Sequence, residues 1–223
     1  MTIPVCAIEY AADDIIGYLT LFAVNNSADA DLGHAFLQFE NTSSITLTIG
    51  PYGVSPGEGI TISVWRDVDG HNGIAYNIES FLHYDKGRFT NRASITIPLR
   101  SSDRTTLNNL LYSNRNWEYN AITDNCVDFS LLLWYSVCSD YTFSTGKTST
   151  TAASPRLLFA SMQQFSDCVS GDTITYNYNV KALLNTYTLG YISTTNLRNN
   201  SSLGAEEESD VMNTPSDNVT DLE

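Results

Sequence analysis

The sequence holds four cysteines and three histidines, the side chains best suited to nucleophilic and base chemistry near neutral pH. Cys126 stands out among them. A polar run over residues 119–125 leads directly into Cys126, and the apolar Val127, Phe129, Leu131, Leu132, Leu133, Trp134 and Tyr135 follow. Asp124 or Asn125 suits an N-cap, and Val127, Leu131 and Trp134 or Tyr135 recur at helical spacing. The thiol is therefore expected in the first turn of a helix. There the unpaired N–H groups and the positive end of the helix dipole favour thiolate over thiol, and the thiolate is the nucleophile. The plainer alternative is a small buried residue beside an apolar helix.

A thiolate nucleophile needs a base within hydrogen-bond reach. His71 sits between Gly70 and Asn72-Gly73, a turn composition in which a solvated imidazole is the ordinary outcome, and His83 in Phe81-Leu82-His83-Tyr84 has no periodic context. His34 is different. Residues 33–40, Gly-His-Ala-Phe-Leu-Gln-Phe-Glu, alternate as a strand, with His34, Phe36 and Gln38 on one face and Ala35, Leu37 and Phe39 on the other. Its small neighbours Gly33 and Ala35 leave room for a helix N-terminus to approach the ring. His34 is the expected base, and a lone strand histidine with a structural role is the competing reading.

The elements that must position this pair follow from pattern. Residues 16–24 form a β-branched and aromatic strand ahead of the histidine strand; 45–49 return as a third, antiparallel strand, and 60–65 and 93–99 are further strands, the last ended by Pro98. Residues 74–83 fit strand and helix equally. A helix begins at Ser101 or Ser102, with Leu107, Leu110 and Leu111 on one face. Residues 141–153 are a Ser/Thr-rich loop. Its Gly146-Lys147-Thr148 lacks the glycine five positions earlier that a phosphate-binding loop needs, since Tyr141 stands there. Ser154-Pro155 opens a helix to about residue 165 with Leu157, Leu158, Met162 and Phe165 buried; 173–180 add a strand, and 181–192 are a short helix or strand. Strands then helices predict an α+β domain. Residues 1–195 are expected as a single domain with a C-terminal helical addition over about 154–195, and 196–223 as a disordered acidic tail.

Gly33-His34-Ala35-Phe36, followed much later by Tyr119 and Asn125-Cys126-Val127-Asp128-Phe129, resembles the NlpC-type branch of the papain-like cysteine hydrolases. The order, histidine strand before cysteine helix, is similar to the circularly permuted members, lecithin:retinol acyltransferase-like proteins among them. The resemblance spans residues 15–137. It implies a papain-like antiparallel sheet packed against helices, a Cys126 thiolate activated by His34, and an acyl-enzyme with the Cys126 backbone N–H at an oxyanion site. It also implies a polar residue on the strand after the histidine to orient it; Thr46 and Thr48 stand there, and a backbone carbonyl or no third group is the alternative. Relatives of this type cut amide bonds in cell-wall peptides, and others act on lipid acyl chains. The expected activity is therefore a peptidase or amidase acting on peptidoglycan. A lipid-acyl or isopeptide hydrolase on the same fold and a catalytically inactive binding module are the rival readings.

Composition narrows the partners. The chain has 223 residues, is 42% hydrophobic and carries a net charge of −14. Residues 201–223 contain Glu206, Glu207, Glu208, Asp210, Asp217, Asp221 and Glu223 with no Lys or Arg, so the acidity extends into both tail and body. Such a surface cannot replace the counterions of nucleic acid or of anionic lipid. No metal or cofactor is called for, since Asp67 and Asp69 alone are too few for calcium. No 18-residue apolar run and no signal peptide are found, and four scattered cysteines fit a reducing compartment. Synthesis in a bacterial cytoplasm is expected. A wall hydrolase of this kind resembles type VI secretion toxins delivered to a target-cell periplasm, with an immunity protein and a secretion carrier as partners.

Overall fold

The computed structural model describes residues 15–25, 33–65, 73–175, 183–185 and 190–191. Cys6, Asp67, Asp69, His71 and the acidic tail lie outside them. Among the described residues, ten strands and four helices form a mixed α+β fold. The main sheet runs β10 (Gly190–Tyr191), β9 (Leu183–Asn185), β6 (Ile74–Tyr76), β5 (Gly59–Ser63), β2 (His34–Asn41), β1 (Ile15–Val24), β7 (Arg92–Arg100), β8 (Val169–Ser170), and every pairing in it is antiparallel.

The centre of the sheet is the pair β1 (Ile15–Val24) and β2 (His34–Asn41), whose apolar and β-branched runs are buried on both faces. Their register sets Val24 opposite His34 and Gly17 opposite Asn41. Period-2 alternation then sorts side chains between two cores. Leu19, Leu21 and Ala23 of β1, Ala35, Leu37 and Phe39 of β2, Ile60 and Ile62 of β5 (Gly59–Ser63) and Ile95 and Ile97 of β7 (Arg92–Arg100) face one way. There they meet α2 (Ser101–Ser113), α3 (Cys126–Val137) and α4 (Pro155–Met162) through Leu107, Phe129, Leu133, Trp134, Leu158 and Met162. Phe22, Val24, Phe36 and Trp65 face the other way, toward α1 (Ile78–Lys86), which buries Ile78 and Leu82.

Several expectations need correcting. The ambiguous residues 74–83 divide into β6 (Ile74–Tyr76) and the start of α1. The third strand does not return along β2. Asn41 knots the turn instead: its Nδ2 donates to the Ile45 carbonyl (2.7 Å) and the Val54 carbonyl (2.8 Å), and its Oδ1 accepts from the Ser43 amide and hydroxyl. β3 (Leu47–Ile49) therefore pairs with β4 (Tyr52–Val54) in a separate two-stranded sheet, and β5 takes the edge of β2. Pro98 does not end β7. The outer neighbour, β8 (Val169–Ser170), reaches only Ala93 and Ser94, so Pro98 lies where the missing N–H has no ladder to break. Leu157, expected in the core, is 48% exposed; Leu158 is buried as expected, and Phe159 is buried in place of Leu157.

The segment after 154 contains α4 and then short strands: β8, and β9 (Leu183–Asn185) and β10 (Gly190–Tyr191), which extend the main sheet beyond β6. Cys138 is disulfide-bonded, whereas Cys126 and Cys168 are free thiols. A disulfide is at odds with the reducing compartment that the scattered cysteines were read to fit. No helix among the described residues is long and apolar enough to cross a membrane.

Candidate active site

His34 is the first residue of β2, at the end of the sheet, and is 5% exposed. The preceding position has to be glycine. Gly33 has φ +81°, and a Cβ there would sit 2.4 Å from the Val24 carbonyl oxygen and 3.1 Å from Cβ of Pro155. The imidazole points to the face of Phe36 and is walled by aromatic rings, with centroids at 4.3 Å for Trp65, 5.8 Å for Phe36 and 5.9 Å for Phe89. Phe89 holds φ 60°, a costly conformation for a bulky residue, and is pinned by Arg92, whose Nη1 donates to its carbonyl at 2.7 Å.

Cys126 is the first residue of α3, and Asn125 is its cap. The Asn125 Oδ1 accepts from the Val127 and Asp128 amides (2.9 and 3.4 Å), and the Asp128 carboxylate accepts from the Asn125 amide at 3.2 Å, completing a capping box. The Cys126 amide, at the first helical position, is one of the N–H groups that a helix cannot satisfy internally. Cys126, 5% exposed, lies close enough to the His34 imidazole for hydrogen bonding and charge from its side chain to act on the ring.

The far side of the imidazole meets a residue that sequence reasoning missed. His34 Nε2 donates to Oε1 of Glu79 at 2.9 Å, both side chains being buried. Glu79 lies in the first turn of α1, and the same oxygen accepts from Trp65 Nε1 at 2.8 Å and from the Ser63 hydroxyl. Burial opposes a charge on His34. The hydrogen bonds and negative charge supplied by Cys126 and Glu79 outweigh it and raise the imidazole from 6.5 to about 9. Burial would likewise push Glu79 up, but the bond and charge of His34 and the Ser63 hydroxyl hold it below the usual carboxylate range. A thiol, an imidazole beside it and a carboxylate behind the imidazole form an arrangement capable of covalent acyl-transfer chemistry.

Thr46 and Thr48, the expected orienting residues, are both exposed beside the β3–β4 hairpin; the Thr48 carbonyl accepts from Asn108 Nδ2 at 2.9 Å. His83 is bound to the Arg88 carbonyl through Nδ1 at 2.8 Å, at the other end of α1 from Glu79. No group of three metal-ligating side chains occurs among the described residues.

No protein-family model matches the sequence, and no curated protein matches it. Among solved structures, that of the type VI secretion system effector TseH is similar over 80% of this chain and 99% of that chain, at 13% identity and a TM-score of 0.45. So slight a likeness assigns neither a family nor an activity.

The approach to Cys126 is itself tied down. Asn120 Oδ1 accepts from the Ile122 and Thr123 amides, Asn120 and Asp124 exchange backbone bonds, and the Asp124 carbonyl accepts from Trp117 Nε1 at 2.9 Å. The 141–153 loop then straps over the helix start. Lys147 Nζ donates to the Thr123 carbonyl (2.8 Å) and to Asp128 Oδ1 (2.6 Å), while Asn125 Nδ2 donates to the Ala153 carbonyl at 2.9 Å. Asn125 thus caps the helix and bridges it to the strap. Asn125→Ala is expected to lower stability by about 2 kcal/mol, the upper range for a cap, because the buried Ala153 carbonyl also loses its donor. Urea unfolding monitored by tryptophan fluorescence measures it.

Proposed function

We propose that this protein is a cysteine hydrolase that cleaves amide bonds in peptidoglycan peptides. One observation carries the reading: Cys126, His34 and Glu79, from a helix, a strand and a second helix far apart in sequence, form one buried relay. His34 takes the thiol proton, and the Cys126 thiolate attacks the substrate carbonyl carbon. The oxyanion of the tetrahedral intermediate lies against the Cys126 amide. Collapse breaks the C–N bond as His34 returns the proton to the leaving amine. Water, deprotonated by His34, then attacks the thioester and releases the acid and the free thiol. Glu79 keeps the imidazole oriented and compensates its positive charge throughout.

The choice of cell-wall peptides rests on the resemblance of Gly33-His34-Ala35-Phe36 and Asn125-Cys126-Val127-Asp128-Phe129 to NlpC-type hydrolases. An enzyme with that substrate must reach a periplasm and would threaten its producer. We therefore read it as an antibacterial effector, carried to a target cell by type VI secretion and neutralised at home by an immunity protein.

Purified sacculi incubated with the wild type, Cys126→Ala and His34→Ala, with soluble products identified by mass spectrometry, test this. Release of peptides by the wild type alone is the expected result, and the masses name the bond. Equal silence of all three on sacculi removes the cell-wall substrate.

A further inference from the structure

Ser63 is the last residue of β5, and Trp65 lies two residues beyond it, packed in the core on the α1 side of the sheet. Both reach the same atom. Oε1 of Glu79 accepts from the Ser63 hydroxyl, from Trp65 Nε1 and from His34 Nε2, three donors on one carboxylate oxygen. Only one of the donors belongs to the catalytic relay. A carboxylate whose sole task was to fill space beside a histidine would not need the other two, and such donors stabilise the charged form over the protonated acid. Trp65 adds a second contact, its ring lying 4.3 Å from that of His34 at 34°.

We propose that Ser63 and Trp65 are positioning residues that keep Glu79 ionised and aimed at His34, and so set the lower pH limit of Cys126 reactivity. This rests on the relay proposed above. Among the described residues the titratable groups facing it are few: the charges acting on His34 come from Cys126 of α3 and Glu79 of α1, and the charge acting on Glu79 comes from His34 of β2. The lower limit is therefore a property of these residues and their uncharged donors.

The mechanism is a competition for one proton site. When the solution is acid enough to protonate Glu79, the imidazolium loses its counter-charge, the Cys126–His34 pair loses its support and the thiol becomes sluggish. Each neutral donor removed from Oε1 makes that protonation easier. Loss of one bond to a charged group corresponds to about 1–2 pH units, so Ser63→Ala and Trp65→Phe should each move the acid limb upward by that amount. Phenylalanine keeps a ring against His34 and lacks only the N–H.

The test is the rate of Cys126 alkylation by iodoacetamide between pH 3 and 8, located by peptide mass spectrometry, in the full-length protein. The wild type should react rapidly down to low pH, and His34→Ala should abolish that advantage. If it does not, the relay itself is wrong and this proposal falls with it. Given that advantage, an acid limb displaced upward in Ser63→Ala and Trp65→Phe, and restored in Ser63→Thr, supports the assignment. An unmoved limb in Ser63→Ala overturns it while leaving the relay intact. Ser63→Ala deletes a single hydroxyl and decides the matter even where Trp65→Phe does not fold.

Discussion

Glu79→Gln should fold and yet lose roughly 10²–10⁴ in kcat, while Glu79→Ala should also lose about 3–5 kcal/mol of stability. The carboxylate is fully buried and bonded to an imidazole that is itself buried. The glutamine side chain has the same shape and can still accept from Ser63 and Trp65, so packing survives. What it lacks is charge. Without it nothing on that side offsets the cost of burying the imidazolium that forms when His34 takes the thiol proton. Alanine goes further by leaving the Trp65 and Ser63 donors without an acceptor in the interior. Single-turnover hydrolysis separates the loss of chemistry from binding, and urea unfolding of both variants gives the stability difference. Near-normal turnover in Glu79→Gln would remove Glu79 from the mechanism.

The second large effect is on stability as a function of pH. His34 is raised in the folded state from 6.5 to about 9, so its contribution is complete below about pH 6.5 and disappears as pH rises through 9. Glu79 is lowered from 4.5, so its contribution is complete above that value and disappears as pH falls through its folded-state value. The two shifts describe one interaction from its two ends and do not add. Stability should thus hold a plateau between about pH 4.5 and 6.5 and decline by on the order of 3 kcal/mol toward pH 9.5. Cys168, raised by burial from 9, and Tyr52, pushed up by burial to about 12, also cost stability as pH rises past their unfolded values, so the decline below pH 9 is the part that belongs to His34. Urea midpoints at pH 6 and pH 9.5 measure the decline. His34→Asn should flatten it, and an unchanged slope in that variant would assign the effect elsewhere.

Much of this site was legible in the chain before its geometry. The β2 alternation assigned His34 and Phe36 to one face and Leu37 and Phe39 to the other, which is the division between the two cores. A cap at Asp124 or Asn125 was readable because N-cap chemistry is local: Asn125 and Asp128 alone carry the whole capping box. Glu79 was hidden for the opposite reason. Residues 74–83 hold a strand and a helix joined at Asn77, whose φ of 62° breaks both periodicities within a ten-residue window. The spacing of Ile78 and Leu82, four apart, was the available signal for a helix beginning just before Glu79. Ser63 and Trp65 looked like ordinary members of a β strand, since nothing in sequence reveals that a helix from later in the chain will place a carboxylate above them. Thr46 and Thr48, on the strand where an orienting residue was expected, are exposed, and the side chain that meets His34 comes from α1 instead.

The division of the sheet into two cores also governs when the chemistry becomes available. Cys126 arrives with the helices on one face, Glu79 arrives with α1 on the other, and His34 stands at the end of the strand between them. A half-assembled chain, with either layer undocked, owns a thiol or a carboxylate but never the connected set. The proposed hydrolytic relay therefore exists only when both layers are docked at once. Melting of α1 alone would disarm the molecule while leaving the larger core closed, so a chain that has to be unfolded and rebuilt in transit would be harmless until it is whole.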